Sequence, residues 1–392
     1  VDIQLLLQPE VQAYIKAHGQ DNIADLAFKK NPFPAIPLAD ILTQIESKQK
    51  SKHKLSKWYN TDAIVFPSKL SIEQTSSEEC AAYKASLVEG DTLIDLTGGF
   101  GIDCYYFAQR IKAVTHCEIQ PELSAIVQHN NRQLQQDNVT CIAGDSLVYL
   151  ANSKQQFDYI YLDPARRNQQ KEKVFFLSDC TPNIVEHLDL LLAHTSTVLM
   201  KTSPLLDLQA GLSELKFVRE IHIVALQNEV KELLWVIDKD YVGSIQLIAV
   251  NLTKTQQQLT SIPWSDESEA TFSEPQTYLY EPHSALLKTG KFNAISAYFK
   301  VNKLHQHSQL YTSEELVDFS GRRFKIKHHL PYNKATAKEY LQQQKANVTV
   351  RNFPIKVDEL RKKWKIKDGG DVYIFFTTTL SNQKVFLIAE PV

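Results

Sequence analysis

The sequence predicts an α/β protein. Its centre is a mostly parallel sheet ending in an antiparallel hairpin, with a helical N-terminal region before it and small α+β domains after it. Three observations predict this. First, Thr92-Leu-Ile-Asp-Leu-Thr-Gly-Gly-Phe-Gly-Ile-Asp103 runs from an apolar strand through a glycine turn into a helix. The chain has only 12 Gly in 392 residues, below the usual ~7%, and three of them fall within Gly98–Gly101. Second, from Asp91 to about Leu252 apolar strands alternate with helical stretches. Third, the C-terminal end changes character. Between Ser320 and Lys367 there are 14 Lys/Arg against three acids, a balance of +11, although the whole chain is −2.

The length suggests two or three domains. A composition of 43% hydrophobic and 22% charged residues is that of a globular protein with real cores. No apolar run approaches the ~20 residues needed to span a bilayer, and no secretion signal is visible. The five cysteines (Cys80, Cys104, Cys117, Cys141, Cys180) are odd in number and never spaced as CxxC. They read as buried thiols of a reducing cytoplasm, with no zinc site. The basic C-terminal segment points to a polyanionic partner, or else to a solvated basic face.

In chain order, residues 1–75 read as helices: Ile3–Ala17, Ile23–Phe28 and, opened by Pro37, Leu38–Glu46. The basic run Lys48–Tyr59 ends in Trp58 and Tyr59. It either meets nucleic acid with a stacking surface or packs Leu55, Trp58 and Tyr59 on its neighbour. Residues 76–255 form the sheet domain, with strands at Thr92–Asp95, Ala113–Glu118, Asn138–Asp145, Phe157–Asp163, Thr197–Lys201, Arg219–Ala225, Leu233–Asp238 and Ser244–Val250. Residues 253–275 read as a polar linker, 276–319 as a small unit, and 320–392 as a basic α+β domain. That last domain offers helices at Ala335–Ala346 and Val357–Ile366, a strand at Asn347–Asn352, and a hairpin of Val372–Thr378 with Gln383–Glu390.

Ligands of a parallel sheet bind outside the carboxyl ends of its strands. An acid stands at four of those ends: Asp95, Glu118, Asp145 and Asp163. A single one is explained by helix capping; four in series suit an adenosine with a charged amino-acid tail. Glu118 would accept from both ribose hydroxyls, Asp145 from the adenine amine, and Asp95 would face the cationic end. Amides at the helix after the glycine turn would favour an anionic group.

Asp95-Leu-Thr-Gly-Gly-Phe-Gly101, Glu118, Gly144-Asp145 and Asp163-Pro-Ala-Arg166 together resemble a class I S-adenosylmethionine-dependent methyltransferase. The whole layout resembles the bacterial methyltransferase family with a ferredoxin-like insert and a C-terminal THUMP-like domain. The resemblance implies a Rossmann-like sheet and S-adenosylmethionine as cofactor. It places Asp95, Thr97, Gly98, Gly99 and Gly101 at the methionine part, Glu118 at the ribose, and Asp145 with Ser146 at the adenine. Asp163, Pro164 and Arg166 would face the reacting end. THUMP domains bind RNA, which fits the +11 segment, so Arg361, Lys362 and Lys363 join Arg166 and Arg167 as candidate substrate contacts. No metal is expected; the pairs His305/His307 and His328/His329 read as surface or RNA contacts. A dinucleotide dehydrogenase fits less well, because its G-x-G-x-x-G needs glycine where Cys104 stands.

Asp163-Pro-Ala-Arg-Arg167 addresses the substrate. In the resembled family, enzymes that methylate exocyclic base amines carry Asp/Asn-Pro-Pro-aromatic there; this chain has Ala165 and Arg166 instead. Uracil C5 enzymes carry Asp-Pro-Pro-Arg and a cysteine at the fifth strand's end, where this chain has Met200-Lys-Thr-Ser-Pro204. Arg166 and Arg167 suit a phosphate, a base face, or a salt bridge to nearby acids. The functional expectation is an RNA methyltransferase. A non-catalytic RNA-binding protein on the same scaffold and a small-molecule methyltransferase are the alternatives.

Overall fold

The computed structural model describes residues 2–166 and 176–392. The chain forms two compact units: Val1–Glu220 with Glu232–Gly243, and Ile221–Lys231 with Ser244–Val392.

The first unit begins with short helices, α1 (Ile3–Leu6), α2 (Pro9–Ala17), α3 (Ile23–Ala27), α4 (Leu38–Lys54), α5 (Ser56–Asn60), α6 (Lys69–Gln74) and α7 (Glu78–Ala85). The single helix expected over Ile3–Ala17 is two, because Pro9 cannot continue a helix but can open one. Helix α4 outruns the expected Leu38–Glu46, since Ser47 and Ser51 turn to the buried face and donate to Pro67 O (2.7 Å) and Ser47 O (2.9 Å). Leu55 and Trp58 are fully buried, and the Trp58 ring meets Tyr105 edge-on at 5.1 Å. Of the two readings of the basic run, packing is therefore what the fold uses for Trp58. Asn130 pins the segment after α5 by bonding both the amide (2.9 Å) and the carbonyl (2.8 Å) of Val65.

Among the described residues the sheet strands that follow are β1 (Gly90–Asp95), β2 (Ile111–Glu118), β3 (Val139–Ala143), β4 (Phe157–Leu162), β5 (Thr195–Thr202), β6 (Val218–Leu226) and β7 (Glu229–Asp238), beside a two-residue ladder of Ala165–Arg166 with Cys180–Thr181. Within the first unit the sheet order is β7-β5-β4-β1-β2-β3. β1 to β5 are parallel and β7 is antiparallel to β5. The crossovers are α8 (Ile102–Phe107), α9 (Pro121–Gln133), α10 (Ser146–Asn152) and α11 (Ile184–His194), with α12 (Leu208–Glu214) after β5. This is the mostly parallel, Rossmann-like sheet with an antiparallel end that the sequence predicts. Because β1, β2, β3 and β4 run the same way, the residues at or just past their carboxyl ends, Asp95, Glu118, Asp145 and Asp163, gather on one side. The N-terminal helices share one core with α8 and α9 through Phe100, Ile102, Tyr105, Ile126 and Val127.

The second unit holds a hairpin, β8 (Gln246–Leu252) with β9 (Gln257–Pro263), registered from Gln246↔Pro263 to Leu252↔Gln257. β9 lies in the stretch expected to be a linker. Its inward positions are Thr260 and Ile262, so polar residues dominate the strand and hide its alternation. A seven-stranded sheet follows, built from β10 (Tyr278–Pro282), β11 (Asn302–Lys303), β12 (Tyr311–Ser313), β13 (Gly321–Pro331), β14 (Asn347–Val350), β15 (Tyr373–Thr378) and β16 (Lys384–Pro391). Its order is β11-β12-β10-β13-β16-β15-β14. Helices α13 (Ser284–Lys288), α14 (Phe292–Phe299), α15 (Lys334–Leu341) and α16 (Val357–Trp364) complete the unit. The 11-residue β13 was not foreseen: its exposed positions carry Arg322, Lys325, Lys327, His328 and His329, which mask the period of the sheet.

Trp58 is the largest apolar side chain binding the helical region to α8. Trp58→Ala is expected to cost about 3–5 kcal/mol, read as a lower urea midpoint of the full chain at unchanged slope.

Candidate active site at the strand ends

A cleft of about 860 Å³ opens at the carboxyl ends of β1 to β5. Asp95, Thr97, Gly98, Gly99, Gly101, Glu118, Asp145, Ser146, Asp163 and Pro164 all line it, so the fold brings together these ten sequence candidates. Arg166 pairs through its backbone with Cys180 in a two-residue ladder; Arg167 lies outside the described residues. Arg361, Lys362 and Lys363 belong to the second unit.

The glycine turn is set from behind by His116, which is fully buried on β2. A Cβ at Gly98 would sit 2.3 Å from the imidazole, and Nε2 reaches Gly99 O at 3.1 Å. Burial lowers the His116 pKa, against the pull of the Gly99 carbonyl, so the ring is neutral and donates from Nε2. Gly101 has φ +79° and packs against Val127. Gly99 has φ +53°, and a Cβ there would meet only Thr97 O, at 3.7 Å, so the turn offers its more open face there. The three glycine amides of the turn are bonded within the protein. Gly98 N donates to Cys117 O (2.8 Å), Gly99 N to Glu118 Oε2 (3.0 Å) and Gly101 N to Gly98 O (2.9 Å).

The acids have structural partners too. Glu118 Oε1 accepts from Gln120 N (2.8 Å), so each oxygen holds one amide and keeps lone pairs for a ligand. Asp145 caps α10 through Oδ1, accepting from Leu147 N (2.9 Å) and Val148 N (3.1 Å). Asp95 is buried and accepts from Thr97 N (2.9 Å), Thr97 Oγ1 (3.2 Å) and Cys104 Sγ (3.2 Å). Burial pushes its carboxyl up to about 7, against the Thr97 amide, which stabilises the anion. Thr97 Oγ1 also accepts from Asp163 N (2.7 Å), bridging the ends of β1 and β4.

Several residues of the site carried no motif. Lys84 is completely buried; its ammonium donates to both Glu232 oxygens (2.9 Å each) and to Ser76 Oγ (2.8 Å), and lies 3.2 Å from Asp103. Burial alone would lower its pKa, but Asp103 and Glu232 outweigh that and hold it above the usual lysine range. Tyr161 donates to Asp103 at 2.8 Å. Lys201, at the end of β5, is ion-paired with Asp163, and both line the cleft. Lys84 was findable as a cation on the apolar face of a helix, spaced i+4 and i+3 from Cys80 and Ala81. Lys201 stands in Met200–Pro204, the strand end where the sequence has no cysteine. His116 gave no signal, because its role exists only once β2 lies behind the turn. Among the described residues no group of three or more His, Cys, Asp or Glu could hold a metal ion, and no helix is long and apolar enough to cross a membrane.

In the second unit part of the basic excess is internal. Arg322 (Nε, 2.8 Å) and Arg351 (2.8 Å) both bind the buried Glu281, Arg361 pairs with Asp368 (2.6 Å), and Lys363 lies 5.5 Å from the Tyr332 ring centre. Trp364 is buried. Lys362 and Lys363 are exposed on α16.

A ferredoxin-like domain model matches residues 278–319, and a THUMP domain-like model matches residues 321–391. The crystal structure of a candidate methyltransferase from Porphyromonas gingivalis W83 is 31% identical to this chain. It superposes with a TM-score of 0.90 and covers 100% of this chain and 99% of that one. The chain belongs to that methyltransferase-fold family. No curated protein matches it. An rRNA methylase from Streptococcus thermophilus (12% identity, TM-score 0.30, 41% of this chain and 95% of that one) and TrmK from M. capricolum with S-adenosyl-homocysteine (15%, 0.32, 41% and 68%) are similar at a level that supports no inference.

Asp95 gives a pH test. Its pKa in the fold, about 7, exceeds the unfolded value of about 3.9. Between those values the native state keeps a proton that the unfolded chain has lost, so stability falls as pH rises. Relative to Asp95→Asn, the wild type is expected to lose stability from pH 4 to 7 and then level off, measured by urea unfolding across a pH series. A wild type that gains on the variant over that window would mean the carboxylate is ionised in the fold.

Proposed function

We propose that the protein is an S-adenosylmethionine-dependent methyltransferase acting on RNA, with the THUMP-like domain docking the nucleic acid. One observation carries this reading: the strand-end acids open into a single cleft whose rim also presents apolar side chains to solvent. Ile119, directly after Glu118, is 67% exposed, and Leu205 is 79% exposed. Large apolar groups held open beside carboxylates suit a ligand with a flat apolar ring, a diol and positive charge.

The residues present fit that ligand. Glu118 keeps lone pairs for ribose hydroxyls, and Asp145 Oδ2 is left over from the α10 cap for an adenine amine. Ile119 and Leu147 offer apolar contact to the ring, and Gly99 admits close approach. Asp163, and Asp95 once it ionises near pH 7, put carboxylate oxygens in the cleft, which favours a cation. When bound, such a sulfonium supplies an electrophilic methyl group. The protein's own task is then to hold the acceptor in line and exclude water, and proximity accounts for most of the rate. Asp163 and Pro164 at the end of β4 would face the acceptor, with Arg166 and Arg167 as further contacts to RNA.

A second reading is favoured by the structural jobs of Glu118 and Asp145. Because one clamps the turn and the other caps a helix, both are explained without any ligand, as in a non-catalytic RNA-binding scaffold. Calorimetry separates the two. The full chain is expected to bind S-adenosylhomocysteine, and Glu118→Ala to weaken it by about 1.5–3 kcal/mol, the worth of hydrogen bonds to a charged group. A folded protein without affinity for the ligand would leave the scaffold reading. The RNA itself is sought by mass spectrometry of RNA nucleosides from cells with and without the protein.

Docking by the basic domain is tested separately. RNA affinity is expected to fall with salt by about 0.7 log units per log unit for each phosphate contacted on a single strand. Lys362→Ala with Lys363→Ala removes up to two such contacts, so the slope flattens by up to about 1.4 while S-adenosylhomocysteine affinity stays unchanged. Equal slopes in filter binding would assign these lysines to solvent only.

A further inference from the structure

Lys201 has a place in the cleft that no motif assigned. Five carboxylates line that cleft: Asp95, Asp103, Glu118, Asp145 and Asp163. Among the described lining residues Lys201 is the single cationic side chain. Its contact is to Asp163 Oδ2, and the two side chains remain 14% and 34% exposed. An ammonium has three N–H donors, so two of them are left for a ligand. Burial alone would lower the Lys201 pKa, but Asp163 and then Glu232 outweigh it, so the amine stays charged.

Resting on the cofactor reading above, we infer that Lys201 binds the carboxylate of the cofactor's amino-acid tail. The tail is a zwitterion, and its anionic end must find a donor in a cleft that is otherwise acidic. The glycine turn does not supply it, because the amides of Gly98, Gly99 and Gly101 are bonded within the protein. Helix α8 has only six residues and carries Asp103 in its first turn, which disfavours a second anion there. Lys84 is sealed among Glu232, Asp103 and Ser76 and does not line the cleft. Lys201 is the cationic side chain that remains in the cleft. The adjacent Asp163, whose Oδ1 bonds to no described residue, completes a donor–acceptor pair that matches the carboxylate and ammonium of an α-amino acid.

Two ligands that differ only in the tail test this on the full-length protein by calorimetry. S-Adenosylhomocysteine has the amino-acid tail, and 5′-methylthioadenosine keeps the nucleoside and sulfur without it. Lys201→Met is expected to weaken S-adenosylhomocysteine by about ten- to a hundredfold and to change 5′-methylthioadenosine by less than about twofold. Lys201→Arg, which keeps the charge and the donors, should restore most of the loss. In Lys201→Met with Asp163→Asn the selective loss should persist, showing that it is not repulsion from an unmasked Asp163. If the Met variant does not fold, decarboxylated S-adenosylhomocysteine on the wild type gives the same comparison from the ligand's side and should bind as weakly.

Equal losses for both ligands, no loss for either, or equal wild-type affinity for the acid and its decarboxylated form would overturn the role of Lys201 while leaving the cofactor reading intact. A wild type that binds neither nucleoside would overturn both.

Discussion

The interaction on which the first unit depends is the burial of the Lys84 ammonium. It has no exposure at all, and it joins three parts of the chain: α7 before the sheet, α8 after the glycine turn, and β7 at the antiparallel end. Desolvating an ammonium costs several kcal/mol, so the arrangement holds only because Glu232 takes both oxygens to it and Ser76 and Asp103 complete its surroundings. Removing one partner of such a buried pair typically costs about 3–5 kcal/mol. The cluster also reaches the surface. Asp103 accepts from Tyr161 on β4, and Asp103, Tyr161, Asp163 and Lys201 share one wall of the cleft. The charges that stabilise the fold continue into those that line the cleft.

The glycine turn obeys a different constraint, that of packing from behind. His116 needs the space of a missing Cβ at Gly98, and Glu118, two residues along the same strand, holds the next amide. β2 thus fixes the turn that precedes it in the chain. Thr97 then carries that position to β4 by accepting from the Asp163 amide. The carboxyl groups of Asp95, Glu118 and Asp145 are held by backbone amides before any ligand arrives, which is the preorganisation a binding site needs.

In the second unit the charge excess divides in two. Arg322 and Arg351 neutralise buried Glu281, and Arg361 is tied to Asp368, so three of the cations serve the fold. Lys325, Lys334, Lys338, Lys345, Lys356, Lys362, Lys363, Lys365 and Lys367 are exposed. These lysines are the part of the +11 excess that a polyanion can neutralise.

The sequence by itself determined the fold class and the position of the cleft. Strand and helix periods are local properties, and the parallel order places Asp95, Glu118, Asp145 and Asp163 at the same ends of their strands whatever the packing details. Polar strands escaped the sequence pattern, because β9 and β13 are defined by ladder pairing and not by apolar alternation. Tertiary structure alone decided what each side chain touches: that the glycine amides are spent internally, that Trp58 is core, that His116 backs Gly98, and that Lys84 meets Glu232 across 148 positions of sequence. Such contacts join residues far apart in the chain, and no local pattern encodes the partner of a buried charge. Only the closed sheet brings the two within reach.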